Sequence, residues 1–270
     1  MELVYLKKKP LIALGHDCSV AEGLNQRSAD VILRIRRQLT ELFSECDFIC
    51  SLDKADQFIL SRLIFEEMVI DKSKKPILCN QRDRAASDFG RPFIKEEWPD
   101  GTERTSSRQI SISHRSQFAM IGLGEQELGV DLEIVEECKD THFEIAAFTP
   151  LERQWVDSFQ CLEGNRTQEA SANRGLAQMF LWTAKEAVSK CNGTGLQISL
   201  QDIEIKFFDT TTEIKSDPLR ETKWLRFHAL INGTEAFRGE STAIHWKTHL
   251  LVTSVTSLGL GGDKEPSDVI

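Results

Sequence analysis

An α+β fold is expected for this 270-residue chain, and three observations predict it. Helical periodicity runs through Ser28–Phe43, Lys54–Val69 and Arg174–Cys191. Period-two alternation runs through shorter segments such as Gln109–His114 and Leu128–Val135, the mark of a strand with one apolar face. A long helix followed by several strands then occurs twice, once in each half of the chain.

The chain opens with lysines at positions 7 to 9 and a short apolar run, Leu11–Leu14, which stops at Gly15-His16-Asp17. That run is too short for a secretory segment. No stretch approaches the ~18 apolar residues of a membrane span. Ser28–Phe43 is expected as a helix with Ile32, Ile35, Leu39, Leu42 and Phe43 inward, and Lys54–Val69 as a stronger one burying Phe58, Leu63 and Phe65. Lys72–Arg91 is polar and turn-rich, with Pro92 stopping any helix. In Gln109–His114, Ile110 and Ile112 alternate against Ser111 and Ser113. Phe118–Leu123 and Leu128–Val135 flank Gly124-Glu125-Gln126-Glu127, which predicts a hairpin.

The second half begins with a short helix from Pro150 to Phe159, capped by Thr149 with Glu152 in its first turn. Cys161–Arg174 carries no periodicity and is expected as a loop. The helix Arg174–Cys191 ends on Asn192-Gly193, C-cap chemistry. Strands are expected at Ile203–Phe208, Leu225–Ile231 and His249–Val255, with a polar excursion over Asp209–Thr222. The expected organisation is an N-terminal half (1–126), a C-terminal half (127–258) and a Gly-rich tail (259–270) expected to be disordered.

Composition is that of an ordinary globular protein. A net charge of −9 argues against nucleic acid, whose partners present a basic face. Basic residues still cluster locally, at Lys72, Lys74, Lys75, Arg82, Arg84 and Arg91. The seven cysteines are odd in number and form no Cys-x-x-Cys pair, which supports neither a disulfide framework nor a zinc site. A reducing cytoplasmic compartment and no membrane partner are expected. His245 and His249 have metal-pair spacing, but no third ligand lies near them, and they are read as structural or solvent-facing.

Two blocks carry chemistry. In Gly129-Val130-Asp131-Leu132-Glu133, the apolar residues alternate with Asp131 and Glu133, so both carboxylates project from one strand face. In the later helix, Ala177, Leu181, Ala184 and Val188 form one apolar stripe, while Trp182, Glu186 and Lys190 fall on the opposite face at i, i+4, i+8. Taken alone, that second block is also what a surface helix with a Glu-to-Lys pair looks like.

Together the blocks resemble the Sfp-type 4′-phosphopantetheinyl transferases, of the holo-carrier-protein synthase superfamily. That family carries G-[IV]-D-x-E, then W-[ST]-x-K-E-x-x-x-K, then G-x-G-L, and here Trp182 to Lys190 and Gly193-Thr194-Gly195-Leu196 match in order. Upstream, Phe89-Gly90-Arg91-Pro92 is similar to its G-K-P element and Ile112-Ser113-His114 to its [IV]-S-H element. Arg91 stands where the family has lysine, a forked guanidinium for a compact ammonium. Arg62, after Ser61, resembles a Gly-Arg pair of some members.

The resemblance implies two similar α/β halves related by a pseudo-twofold axis, usually in a monomer. It implies transfer of the phosphopantetheine arm of coenzyme A to a serine of an apo acyl, peptidyl or aryl carrier protein, releasing adenosine 3′,5′-bisphosphate. Asp131, Glu133 and Glu186 would hold Mg2+, whose preference is for hard oxygens. Glu186 is also the candidate base, directly or through water, so metal ligation and base work compete for the same oxygens. Lys190 would pair with the pyrophosphate. Arg62, Arg91, Ser113, His114 and Asp131 are the implied coenzyme A contacts. Lys185 is expected to make a supporting ion pair, and Trp182 to pack between the halves rather than stack on a ligand. Coenzyme A would bridge the halves. The rim that meets the carrier is placed on Cys161–Arg174, with Arg166 and Arg174 as its charges and Phe159 and Leu162 as apolar contacts.

Two other classes stay open at this point. One is another metal-dependent phosphate enzyme using the same carboxylates, which would need a basic groove. The other is a non-catalytic coenzyme A or carrier-protein-binding homologue, against which the intact acidic positions and Lys190 speak.

Overall fold

The computed structural model describes residues 2–8, 11–16, 52–68, 76–79, 91–98, 100–135, 141–159, 170–212, 223–246 and 248–258. The expected helix Ser28–Phe43, most of the basic cluster, Cys46, Cys50 and the tail 259–270 lie outside them. The chain divides into two compact units: Met1–Glu125 with Val130–Leu132, and Gln126–Gly129 with Glu133–Ile270. Helices packed on antiparallel sheets make up both, which is the α+β class the sequence predicts.

In the first unit, helix α1 (Leu52–Met68) lies with a four-stranded sheet ordered β1-β2-β7-β6. Its strands are β1 (Glu2–Lys8), β2 (Leu11–His16), β6 (Gln109–Arg115) and β7 (Phe118–Gly124). The apolar run Leu11–Leu14 is therefore a strand. A small second sheet joins β3 (Ile77–Cys79), β4 (Phe93–Glu97) and β5 (Glu103–Thr105), so a strand interrupts the expected Lys72–Arg91 connector. Leu60, Ile64, Phe65 and Met68 of α1 form one core with Leu78, Ile94, Ile110, Ala119, Ile121 and Leu123.

The expected hairpin across Gly124–Glu127 does not form. β7 is paired on one side by β2 and on the other by β6, leaving no edge for the next strand. The hairpin is β6–β7 instead, turned at Ser116 with φ 51°. β8 (Leu128–Ile134) is the edge of a five-stranded sheet ordered β8-β12-β11-β10-β9.

The rest of that sheet is β9 (Ile203–Thr212), β10 (Lys223–Ile231), β11 (Thr234–Trp246) and β12 (Thr248–Ser257). Helices α2 (Thr141–Ala147), α3 (Pro150–Ser158) and α4 (Ala170–Asn192) accompany it in the second unit. Thr149 caps α3 as expected, and Glu152 completes a capping box with it. Gly193 ends α4 at φ 76°. The α4 stripe of Ala177, Leu181, Ala184 and Val188 is wholly buried, in one core with Phe148, Val156, Phe227 and Val255. His245 and His249 are register partners across the β11–β12 hairpin.

β8 and α4 meet backbone to backbone at Gly129. A Cβ there would sit 1.8 Å from the Ala187 carbonyl oxygen and 2.7 Å from the Cys191 nitrogen. No side chain can give way, so the clash must move a strand or a helix. Gly129→Ala is expected to lower stability by about 3 kcal/mol, or roughly 6–12 °C in Tm. An unchanged thermal melt would show that α4 does not bear on β8 at this residue.

Candidate functional site

In the second unit, Trp182, Glu186 and Lys190 share the half-buried face of α4, opposite the buried stripe. The helical reading of the sequence thus places a carboxylate and an ammonium one turn apart on an accessible face. Trp182 packs on Phe143, ring centroids 5.3 Å apart, and joins the core of its own unit.

The signature residues between them hold the helix down. Thr183 is fully buried, and its Oγ1 lies 2.8 Å from Thr253 Oγ1, which lies 2.7 Å from Ser241 Oγ. That chain of hydroxyls crosses from α4 through β12 to β11. Lys185 is also fully buried, with its Nζ 2.7 Å from Glu152 Oε2 and donating to the carbonyls of Leu200 and Ile203 at 2.6 Å each. All three ammonium donors are thereby used. Burial pushes the Lys185 ammonium below its ordinary value, opposed by the Glu152 carboxylate. The expected supporting ion pair exists, and Glu152, read from sequence only as a helix-start residue, is its partner.

Arg174 does not stand on a free rim. It lies within α4, where its Nη2 donates to both carboxylate oxygens of Glu144 of α2 at 2.6 Å and its Nη1 to Asp157 of α3. The Asp157 bond and then Glu144 hold its guanidinium above its ordinary value, against the effect of burial. Phe159 packs on Trp155 and Phe180 in the core. Both residues make contacts within their own unit; Leu162 and Arg166 lie outside the described residues.

In the first unit, Ser113 and Asp131 are each 5% exposed, and Ser113 Oγ donates to Asp131 Oδ1 at 2.8 Å. The amide nitrogens of Val130 and Leu132 donate to Ser111 Oγ at 3.0 Å and Ser113 Oγ at 3.2 Å. The alternation of β6 is real, but its serine face is buried rather than wet. His114 and Arg91 are half-buried. Arg62 is 5% exposed, with its guanidinium 3.5 Å from the Phe58 ring centroid and its Nη1 donating to Ser61 Oγ at 3.0 Å. Burial pushes that guanidinium down to about 9, partly offset by Cys79. Such a placement is that of a packed residue.

A cavity of about 460 Å³ in this unit is lined by Phe65, Ile94, Trp98, Arg104 and Arg108 among others, and by no residue the motifs single out. It borders the start of β6, whereas Ser113 and His114 stand near the end of that strand.

Asp131, Glu133 and Glu186 offer carboxylate oxygens, the donor chemistry that suits Mg2+. Among the described residues, no group of three or more His, Cys, Asp or Glu side chains is close enough to hold an ion. No helix of the described residues is long and apolar enough to cross a membrane.

Residues 127–251 match the family model of the 4′-phosphopantetheinyl transferase superfamily. The matched stretch spans β8, α4 and most of the five-stranded sheet. No curated protein matches the chain.

Proposed function

We propose that the protein is a Mg2+-dependent, Sfp-type transferase that moves the 4′-phosphopantetheine arm of coenzyme A onto a serine of an apo carrier protein. The observation that carries this reading is the superfamily match over 127–251, which contains Asp131, Glu133, Glu186 and Lys190. The accessible Glu186–Lys190 face of α4, set against its buried opposite face, supports it.

In the proposed reaction the serine oxygen attacks the phosphorus that bears the pantetheine arm. A new phosphoester bond forms as the bond to adenosine 3′,5′-bisphosphate breaks. Glu186 takes the serine proton, directly or through water. Lys190 offsets negative charge on the pyrophosphate as a point charge. Mg2+ held by Asp131, Glu133 and Glu186 would supply further charge neutralisation. Arg91 and His114 are the proposed coenzyme A contacts from the first half of the chain. Arg62, stacked on Phe58, is better suited to packing. The protein is proposed to act as a cytoplasmic monomer.

Incubating the protein with coenzyme A, Mg2+ and a panel of apo carrier proteins is expected to add one phosphopantetheine to a competent carrier. Intact mass spectrometry reads the addition, and EDTA should abolish it. No mass shift across fatty-acid, polyketide and peptide carriers would count heavily against transfer, and would favour a binding role.

A further inference from the structure

We propose that Ser113 is a positioning residue for Asp131, and that its hydroxyl acts through that carboxylate rather than on coenzyme A. The inference rests on the transferase reading of Asp131 as a metal ligand. A serine hydroxyl has a single hydrogen to donate. In Ser113 that hydrogen is given to Asp131 Oδ1 at 2.8 Å, while the oxygen accepts the Leu132 amide at 3.2 Å. A phosphate oxygen can only accept, so it could be served by Ser113 only if the bond to Asp131 broke. Breaking it would remove a hydrogen bond from a carboxylate that is 5% exposed, a costly step at a buried charge.

Ser111 gives the arrangement its second support. Two residues before Ser113 on the same strand face, it accepts the Val130 amide at 3.0 Å. Val130 and Leu132 are likewise two residues apart, so their amides leave the strand on one side. Two hydroxyls thus set the register of Val130–Leu132, and only one of them also orients a side chain. The division separates tasks: Ser111 anchors backbone, whereas Ser113 anchors backbone and the Asp131 carboxylate. Partners that orient a metal-binding carboxylate typically set metal affinity by 10–100-fold.

Mn2+ binding to the protein, followed by electron paramagnetic resonance without substrates, separates these roles. Ser113→Ala is expected to weaken Mn2+ about 10–100-fold, and Ser113→Thr, which keeps the hydroxyl, to restore most of it. Ser111→Ala should lower Tm without moving the Mn2+ affinity. Coenzyme A affinity measured in EDTA should stay within about twofold for Ser113→Ala. Unchanged Mn2+ affinity in Ser113→Ala, or a loss confined to coenzyme A, overturns the inference. A crystal structure of the unaltered protein with Mn2+ and coenzyme A gives a check that needs no variant to fold. It should retain the Ser113–Asp131 bond, and a phosphate oxygen on Ser113 in its place would overturn the proposal. Wild-type protein that binds no Mn2+ and modifies no carrier overturns the transferase reading together with this one. Active wild-type protein with an indifferent Ser113→Ala overturns this one alone.

Discussion

Asp131→Ala and Glu186→Ala are each expected to lower phosphopantetheine transfer by about a thousandfold or more, some 4 kcal/mol of transition-state stabilisation. Each change removes an oxygen ligand from the ion proposed to neutralise the pyrophosphate, and Glu186→Ala removes the proposed base as well. Glu133→Ala should cost less, because Glu133 is half-buried and water can take a ligand's place there. Asp131→Asn is the sharper probe. It keeps an acceptor for the Ser113 hydroxyl, 2.8 Å away, and removes only the charge. A fold effect would therefore separate Asn from Ala, whereas a charge effect would unite them. Single-turnover rates over a Mg2+ titration, beside a thermal melt of each variant, give the comparison. Near-normal turnover in folded Asp131→Ala would put the metal site elsewhere.

What the sequence made legible was local in origin. The faces of α4 follow from 3.6-residue spacing, and the Thr149–Glu152 capping box from residues three apart. Failures came where a distant element decided the outcome. β11 went unread because its inward positions include Gly239 and Ser241, which break the apolar alternation a strand should show. Gly239 is required because the Phe227 ring lies across it, and a Cβ would come 2.1 Å from Phe227 Cζ. Ser241 is buried in the hydroxyl chain with Thr253 and Thr183. Neither cause is visible within a window of neighbouring residues.

The first unit shows the same limit. Leu11–Leu14 has too few residues to declare itself, and it becomes a strand because β1 and β7 flank it. Gly124–Glu127 has the composition of a hairpin turn, yet β7 is already paired along both edges. In the candidate site, the acidic residues and Lys190 were readable as a pattern, and the superfamily match covers the stretch that holds them. Their supports were not. Ser111 and Ser113 alternate with Ile110 and Ile112, and only the long-range placement of Val130–Leu132 makes them buried acceptors. Arg174 read as a loop charge because its partners, Glu144 and Asp157, are 30 and 17 residues away in sequence.

Lys185→Ala is expected to destabilise the protein by about 3–5 kcal/mol, the usual consequence of removing one member of a buried ion pair. Lys185 is 0% exposed and joins three elements at once. Its ammonium meets the Glu152 carboxylate of α3 and the carbonyls of Leu200 and Ile203, ahead of and at the start of β9. Alanine would leave those acceptors buried without their donor, and would open a cavity the size of the lysine stem. Glu152 could not simply withdraw, because its oxygens also accept the amides of Thr149 at 2.7 Å and Ile205 at 2.8 Å. Glu152→Gln should therefore cost less than Lys185→Ala, since an amide oxygen can keep one of those backbone bonds. The double variant should fall short of the sum of the two, because the second change removes the charge the first one stranded. Chemical denaturation of the three variants measures each value. A Lys185→Ala protein within about 1 kcal/mol of the parent would show that this lysine does not anchor the signature helix, and would return it to consideration as a group that acts on the substrate.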